Sequence, residues 1–269
     1  MDRRRRHHLP ADRTNSRGLV LALIALCGAA ATFAGAYGAL PGNWLSRSGS
    51  AFITPGLRDM QSDDFANPGM LWVSSGQALW TKIDGGAGKS CASCHGDLSS
   101  MKAIQFPKRD ADGELINLEL QIERCRTQHM QAPALGYESD PLLALTAAIR
   151  NQSRGAPVAI PEDTEAIAAG ERYFRQRRGR FNLACANCHE QSVGKHIRDE
   201  TISQGQTNGF PTYRVRWETL GSVQRRFQAC NESIGAEPEK LGSQTYIALE
   251  WFLAWRGRGL PIETPSVRQ

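Results

Sequence analysis

Apolar residues fall along this chain in two patterns. A continuous run from Leu19 to Leu26, extended by small residues to Ala36, stands alone near the N-terminus. Beyond it, apolar positions come in short blocks at helical spacing. The stretch from Asn43 to Asp64 is polar and rich in Ser, Gly and Pro, which predicts an extended arm. From Asn67 a Pro-Gly pair opens a helix carrying Met70, Leu71, Trp72 and Val73, with Ala78, Leu79 and Trp80 about two turns on. Phe106 to Asp112 reads as loop, and Leu115, Leu118 and Ile122 predict a helix over 115–129. Asp140-Pro141 supplies an N-cap followed by proline for an apolar helix through Leu142 to Ile149.

The second half repeats this order. Gly76 and Gly170, like Trp80 and Phe174, are 94 residues apart. Leu145 and Leu249, Arg154-Gly155 and Arg258-Gly259, and Pro157 and Pro261 share an offset of 104. The extra residues of the second half lie in a loop from Glu190 to about Thr212, where an insertion can shape a site without breaking a core. The fold expected is mainly α, with two tandem cytochrome c-like domains, 65–158 and 159–269, after an arm over 37–64.

Chemistry enters with the cysteines. Cys91-Ala92-Ser93-Cys94-His95 and Cys185-Ala186-Asn187-Cys188-His189 are both C-x-x-C-H, the attachment site of c-type haem. The expectation is two covalent haems, held through Cys91, Cys94, Cys185 and Cys188, with His95 and His189 as proximal iron ligands. Each motif is followed by one more cysteine, Cys125 and Cys230, 105 residues apart. No other strong iron ligand repeats in register, because His129 and Met130 have no counterpart after Cys230. Thiolate ligation would give each iron a His/Cys pair and a low potential; the alternative is a disulfide between the two spare thiols. Arg226, one helical turn before Cys230, would hold an anion near the sulfur, or else pair with a propionate or solvent. The matching residue before Cys125 is Gln121.

Net charge adds little. The formal +5 comes from the arginines ahead of the first apolar run, and removing 1–36 leaves 26 basic against 25 acidic side chains. The mature body offers no case for nucleic-acid binding. Residues 1–36 themselves read as an export signal ending in Ala34-Gly35-Ala36, with an uncleaved anchor as the alternative; the mature protein is expected in the periplasm.

Several segments together resemble the SoxA family of bacterial thiosulfate oxidation. They are Asp63 to Trp72, Ser90 to Gly96, Ile122-Glu123-Arg124-Cys125-Arg126, Gly205 to Pro211, Tyr213-Arg214, the Arg226 and Cys230 pair, and Leu249 through Arg256. The resemblance implies a redox transferase, L-cysteine S-thiosulfotransferase, that pairs with a SoxX-type monohaem cytochrome. It implies that thiosulfate is joined to a cysteine of a SoxYZ-type carrier, with two electrons passing to a cytochrome c acceptor. It further implies that Cys230 ligates the second haem and is the catalytic sulfur, that Arg226 holds the substrate, and that Cys125 ligates a non-catalytic haem. The rival readings are a carrier-independent thiosulfate dehydrogenase, a plain dihaem electron carrier and a structural subunit.

Overall fold

The computed structural model describes residues 45–269, so the export segment and the start of the arm lie outside the described residues. The first half holds α1 (Pro55–Ser62), α2 (Met70–Thr81), α3 (Cys91–His95), β1 (Lys108–Arg109), β2 (Leu115–Ile116), α4 (Leu118–Arg124) and α5 (Asp140–Asn151). The second holds α6 (Thr164–Arg175), α7 (Cys185–His189), β3 (His196–Ile197), β4 (Glu200–Thr201), β5 (Thr212–Arg214), β6 (Thr219–Gly221), α8 (Val223–Ser233), α9 (Gln244–Arg256) and β7 (Ser266–Arg268). The chain is mainly helical, as the periodicity predicts. Side-chain caps start the helices: Ser139 accepts from the Leu142 N–H, Asp163 from Ala166, Ser222 from Arg225 and Ser243 from Tyr246. The cap of α5 is thus Ser139, with Asp140 as its first residue.

Each half is built on one helix crossing. α2 packs on α5, and α6 packs on α9. A methyl group on Gly76 would lie 2.1 Å from the Ala144 carbonyl oxygen, and one on Gly170 would lie 2.1 Å from that of Ala248. Only glycine admits backbones this close. Around the crossings Trp80, Leu118, Ile122, Leu142, Leu145 and Ile149 bury the first core, and Tyr173, Phe174, Tyr246, Trp251 and Phe252 the second.

The halves meet along a symmetric seam. Pro157 faces Pro261, its own counterpart in the repeat. Gly155 N–H donates to the Ile262 carbonyl at 2.8 Å while Gly259 N–H donates to that of Val158 at 2.9 Å. The Val158 to Leu260 and Ile262 to Ala156 bonds form a second matched pair. Beside this seam lies a polar group of Glu119, Arg150 and Glu250, lining a cavity of about 280 Å³. Glu250 Oε1 accepts from Asn117 Nδ2 at 3.0 Å and Gln224 Nε2 at 2.5 Å. Burial pushes the Glu119 carboxyl up to about 7 and holds Glu250 well above the carboxylate range, with the charge of Glu119 adding to the latter.

Two segments differ from expectation. Residues 115–129 are not one helix: Leu115–Ile116 is a strand pairing back on Lys108–Arg109, and Asn117 caps α4. The cause is tertiary, since the Gln244 side chain binds both the N–H and the carbonyl of Leu115 at 2.9 Å. Past Arg124 the helix widens into a π turn, Cys125–Met130. The arm also differs over its described part, 45–64, which contains a 3-10 turn, Gly49–Phe52, and helix α1. It is strapped to the second half. Gln204 binds the Leu45 carbonyl and the Arg47 N–H, Asn208 donates to Ser48 at 2.9 Å, and Gln61 reaches Glu263 and the Val267 N–H.

Gly170→Ala is expected to cost about 1–3 kcal/mol through overpacking, read as a lower urea midpoint with unchanged slope. Because the Glu119 carboxyl binds its proton more tightly folded than unfolded, its contribution is full below pH 4.5 and is lost as pH rises to about 7. Glu119→Gln should therefore flatten the fall in urea midpoint across that window.

Candidate active site

In the second half four sulfur and nitrogen groups converge from two helices, α7 and α8. α7 carries Cys185, Cys188 and His189, and opens with Asn187 Oδ1 accepting the Ala184 N–H at 2.8 Å. His189 Nδ1 lies 2.8 Å from the Ser203 carbonyl, so it donates there and leaves Nε2 available to ligate an iron. The backbone at Gly205 closes on the imidazole edge; a methyl group there would stand 3.0 Å from His189 Cγ, at a φ of +72° that disfavours other residues.

Cys230 comes from α8, one turn after Arg226, as the spacing predicts. Burial alone would raise its thiol, but the Arg226 guanidinium, hydrogen bonding and charge from His189, and Arg214 outweigh it and bring it down to about 7. Its partners on α7 move the other way. Cys185 is pushed up to about 11 by burial and by Cys230, and Cys188 is raised by the same two causes.

Arg214 and Glu200 are site residues that sequence spacing does not find. Arg214, on β5, donates from Nη2 to Glu200 Oε1 at 2.7 Å, and Glu200 Oε2 lies 3.8 Å from Arg226 Nη2. Glu200 belongs to the β3–β4 hairpin inside the 190–212 insertion. The sequence signals are that this insertion has no counterpart in the first half and that Tyr213-Arg214 is among the segments that carry the family resemblance.

The first half brings Cys91, Cys94, His95 and Cys125 to the corresponding place. Burial raises the Cys91 thiol, with Cys125 and Cys94 adding to it and Arg126 opposing. The Trp80 ring lies 5.8 Å from that of His95, and its Nε1 donates to the Gly96 carbonyl at 2.9 Å. Next to the lone cysteine the halves part. Gln121 Nε2 donates to Cys125 Sγ at 3.2 Å, a neutral amide where the second half places a guanidinium. Arg126 turns instead to Asp84 at 2.6 Å. Cys125 and Cys230 are not joined in a disulfide in this structure.

This donor chemistry fits haem c in each half: two thiols for the porphyrin vinyls, one imidazole, and one further sulfur from the facing helix. Among the described residues no group of three or more His, Cys, Asp or Glu could hold a bare metal ion. The donors suit an iron that arrives already held in a macrocycle.

Comparison with known proteins gives a consistent result. A family model described as SoxA/TsdA, cytochrome c domain, matches residues 75–158. The chain is 45% identical over 230 residues to the L-cysteine S-thiosulfotransferase subunit SoxA of Pseudaminobacter salicylatoxidans, covering 82% of this chain and 80% of the relative. It is 38% identical to the subunit of the same name from Rhodovulum sulfidophilum, with the same coverage of each. Its fold is similar to a chain in the crystal structure of SoxXA from P. pantotrophus, with a TM-score of 0.80, 38% identity, and coverage of 82% of this chain and 86% of that one.

Gly205→Ala should push on the His189 ring. In a chain loaded with haem at both motifs, we expect a changed ferric absorption and electron-spin signal from the group attached at Cys185 and Cys188, with that of a group attached at Cys91 and Cys94 unchanged.

Proposed function

The chain belongs to the SoxA family, the c-type cytochrome subunits of L-cysteine S-thiosulfotransferase in the SoxXA complex, and on that premise we propose that its second half joins thiosulfate to a cysteine of a SoxYZ-type carrier. In this reading the protein carries two haem c groups, through Cys91 and Cys94 and through Cys185 and Cys188, and works in the periplasm beside a SoxX-type monohaem cytochrome. The reaction balances as one sulfur–sulfur bond formed between a carrier thiolate and thiosulfate. Two electrons leave, ultimately to a cytochrome c acceptor, and the thiol proton goes to solvent.

One observation carries this reading. Of the two cysteines repeated in register, only Cys230 has guanidinium groups acting on its sulfur, from Arg226 and Arg214; Cys125 has the amide of Gln121. A sulfur held near neutrality is available as thiolate at working pH and is a good sulfur nucleophile. Arg226 offers a thiosulfate dianion a charge-assisted hydrogen bond beside that sulfur. Ser203 fixes the His189 tautomer, so Nε2 is presented to the site. Haem, when bound, supplies the one-electron acceptor next to the sulfur. Cys91, Cys94, His95 and Cys125 would hold the other haem without a substrate-binding cation at its sulfur.

The test is thiosulfate-dependent reduction of cytochrome c by the purified complex, with and without a carrier bearing the acceptor cysteine. Reduction that needs the carrier, with thiosulfate mass added to its cysteine, supports the transferase reading; reduction without the carrier makes the protein a thiosulfate dehydrogenase. Cys230→Ala is expected to abolish turnover, whereas Cys125→Ala retains it and shifts only the spectrum of the first haem. Equal loss in both variants would overturn the assignment.

A further inference from the structure

Arg214 is among the most enclosed cations in the described chain. Its strand, β5, runs between β6 and β7, and the residue is 5% exposed. Nη2 is taken up by Glu200, but Nε is buried with no hydrogen-bond partner. An unpaired guanidinium N–H in a buried position costs free energy unless something else binds it. The Glu200 carboxylate therefore uses one tooth of a two-toothed fork. Its other oxygen leans toward Arg226, at 3.8 Å. A single carboxylate thus sits between two guanidiniums, one of them a helical turn from Cys230 on α8.

Glu200 is held on a slight element. The β3–β4 hairpin has two residue pairs, His196 with Thr201 and Ile197 with Glu200. His196 and Ile197 are exposed, and Arg198 between the strands has a φ of +55°. Apart from the pairing of Glu200 with Arg214 and Arg226, an exposed ion pair between Arg216 and Asp199 ties the hairpin to the segment after β5. Exposed ion pairs contribute little.

We propose that Glu200 is an internal stand-in for the substrate: Arg214 and Arg226 together form the anion cradle beside Cys230, and an incoming sulfur oxyanion dianion displaces the Glu200 carboxylate and frees the β3–β4 hairpin. This rests on the reading of the Cys230 site given above. Charge requires the exchange, because a dianion added beside Glu200 would leave the two arginines facing an excess of negative charge at close range. Geometry favours it, because a tetrahedral oxyanion can engage both Nε and Nη2 of Arg214 and reach Arg226, whereas Glu200 leaves Nε unbound. The competition also selects. A dianion gains more from two guanidiniums than a monoanion does, so Glu200 excludes singly charged anions more strongly. Arg214 is a substrate-binding residue in this scheme and Glu200 a specificity-determining one.

The experiment uses the haem-loaded complex with its small cytochrome partner. Glu200→Gln keeps the shape and removes the competing charge. The KM for thiosulfate should fall about tenfold, the effect of one charge-assisted hydrogen bond, with a much smaller change in kcat. Inhibition by sulfate, a dianion that cannot react, should tighten by a similar factor. Arg214→Gln should raise KM by at least as much, and Arg214→Lys should restore part of the loss. In the unmodified complex, hydrogen exchange of 194–202 should speed up on adding thiosulfate or sulfate. A KM unchanged or raised in Glu200→Gln, or a hairpin whose exchange ignores both anions, would overturn the proposal. A complex that fails to oxidise thiosulfate at all would sink the functional reading instead, while the sulfate arm would still decide whether the cradle exchanges its carboxylate for an anion.

Discussion

The structure depends on one repeated close approach, the backbone contact of Gly76 with Ala144 and of Gly170 with Ala248. At these crossings α2 lies on α5 and α6 lies on α9 without an intervening side chain. That contact makes each helix pair a firm wall. α3 and α7, only five residues each, could not hold a conformation alone. Packed against the walls, they present two thiols and an imidazole in a fixed direction. The aromatic rings around the second crossing, Phe174, Phe252 and Trp251, fill the rest of a small core.

Given two equivalent frames, the difference between the sites is local and electrostatic. Gln121 and Arg226 occupy the same turn before their cysteines, yet one donates a neutral N–H to sulfur and the other brings a full charge. The second cation, Arg214, comes from a sheet whose third strand is the C-terminal β7, so the end of the chain helps to build the site. The same C-terminal stretch anchors the N-terminal strap through Gln61, Glu263 and Asn67. The second half is thus held from both ends of the described chain. Among the described residues the first half has no such sheet, only the two-residue pairing of β1 with β2.

Symmetry runs through the seam as well. The bonds between 155–158 and 259–262 map onto themselves under the repeat offset, as in an isologous dimer interface joined into one chain. The cavity beside the seam breaks that symmetry, because Glu250 stands where the first half has Thr146, and Arg150 where the second has Ala254.

Sequence alone determined the places of α2 and α5 and of their repeats α6 and α9, the internal repeat, both C-x-x-C-H motifs, the matched pair Cys125 and Cys230, and the one-turn spacing of Arg226 to Cys230. All of these are periodic or local, set by contacts within a few residues, so they are written in spacing. Tertiary structure decided the rest. It broke 115–129 with a side chain from 129 residues away. It turned a polar arm into a strap, and it carried Arg214 and Glu200 to the sulfur from elements separated from Cys230 by 16 residues and more. The reason is physical: a hydrogen bond or ion pair between distant segments exists only once the core has fixed their distance, and no periodicity of the chain encodes that distance.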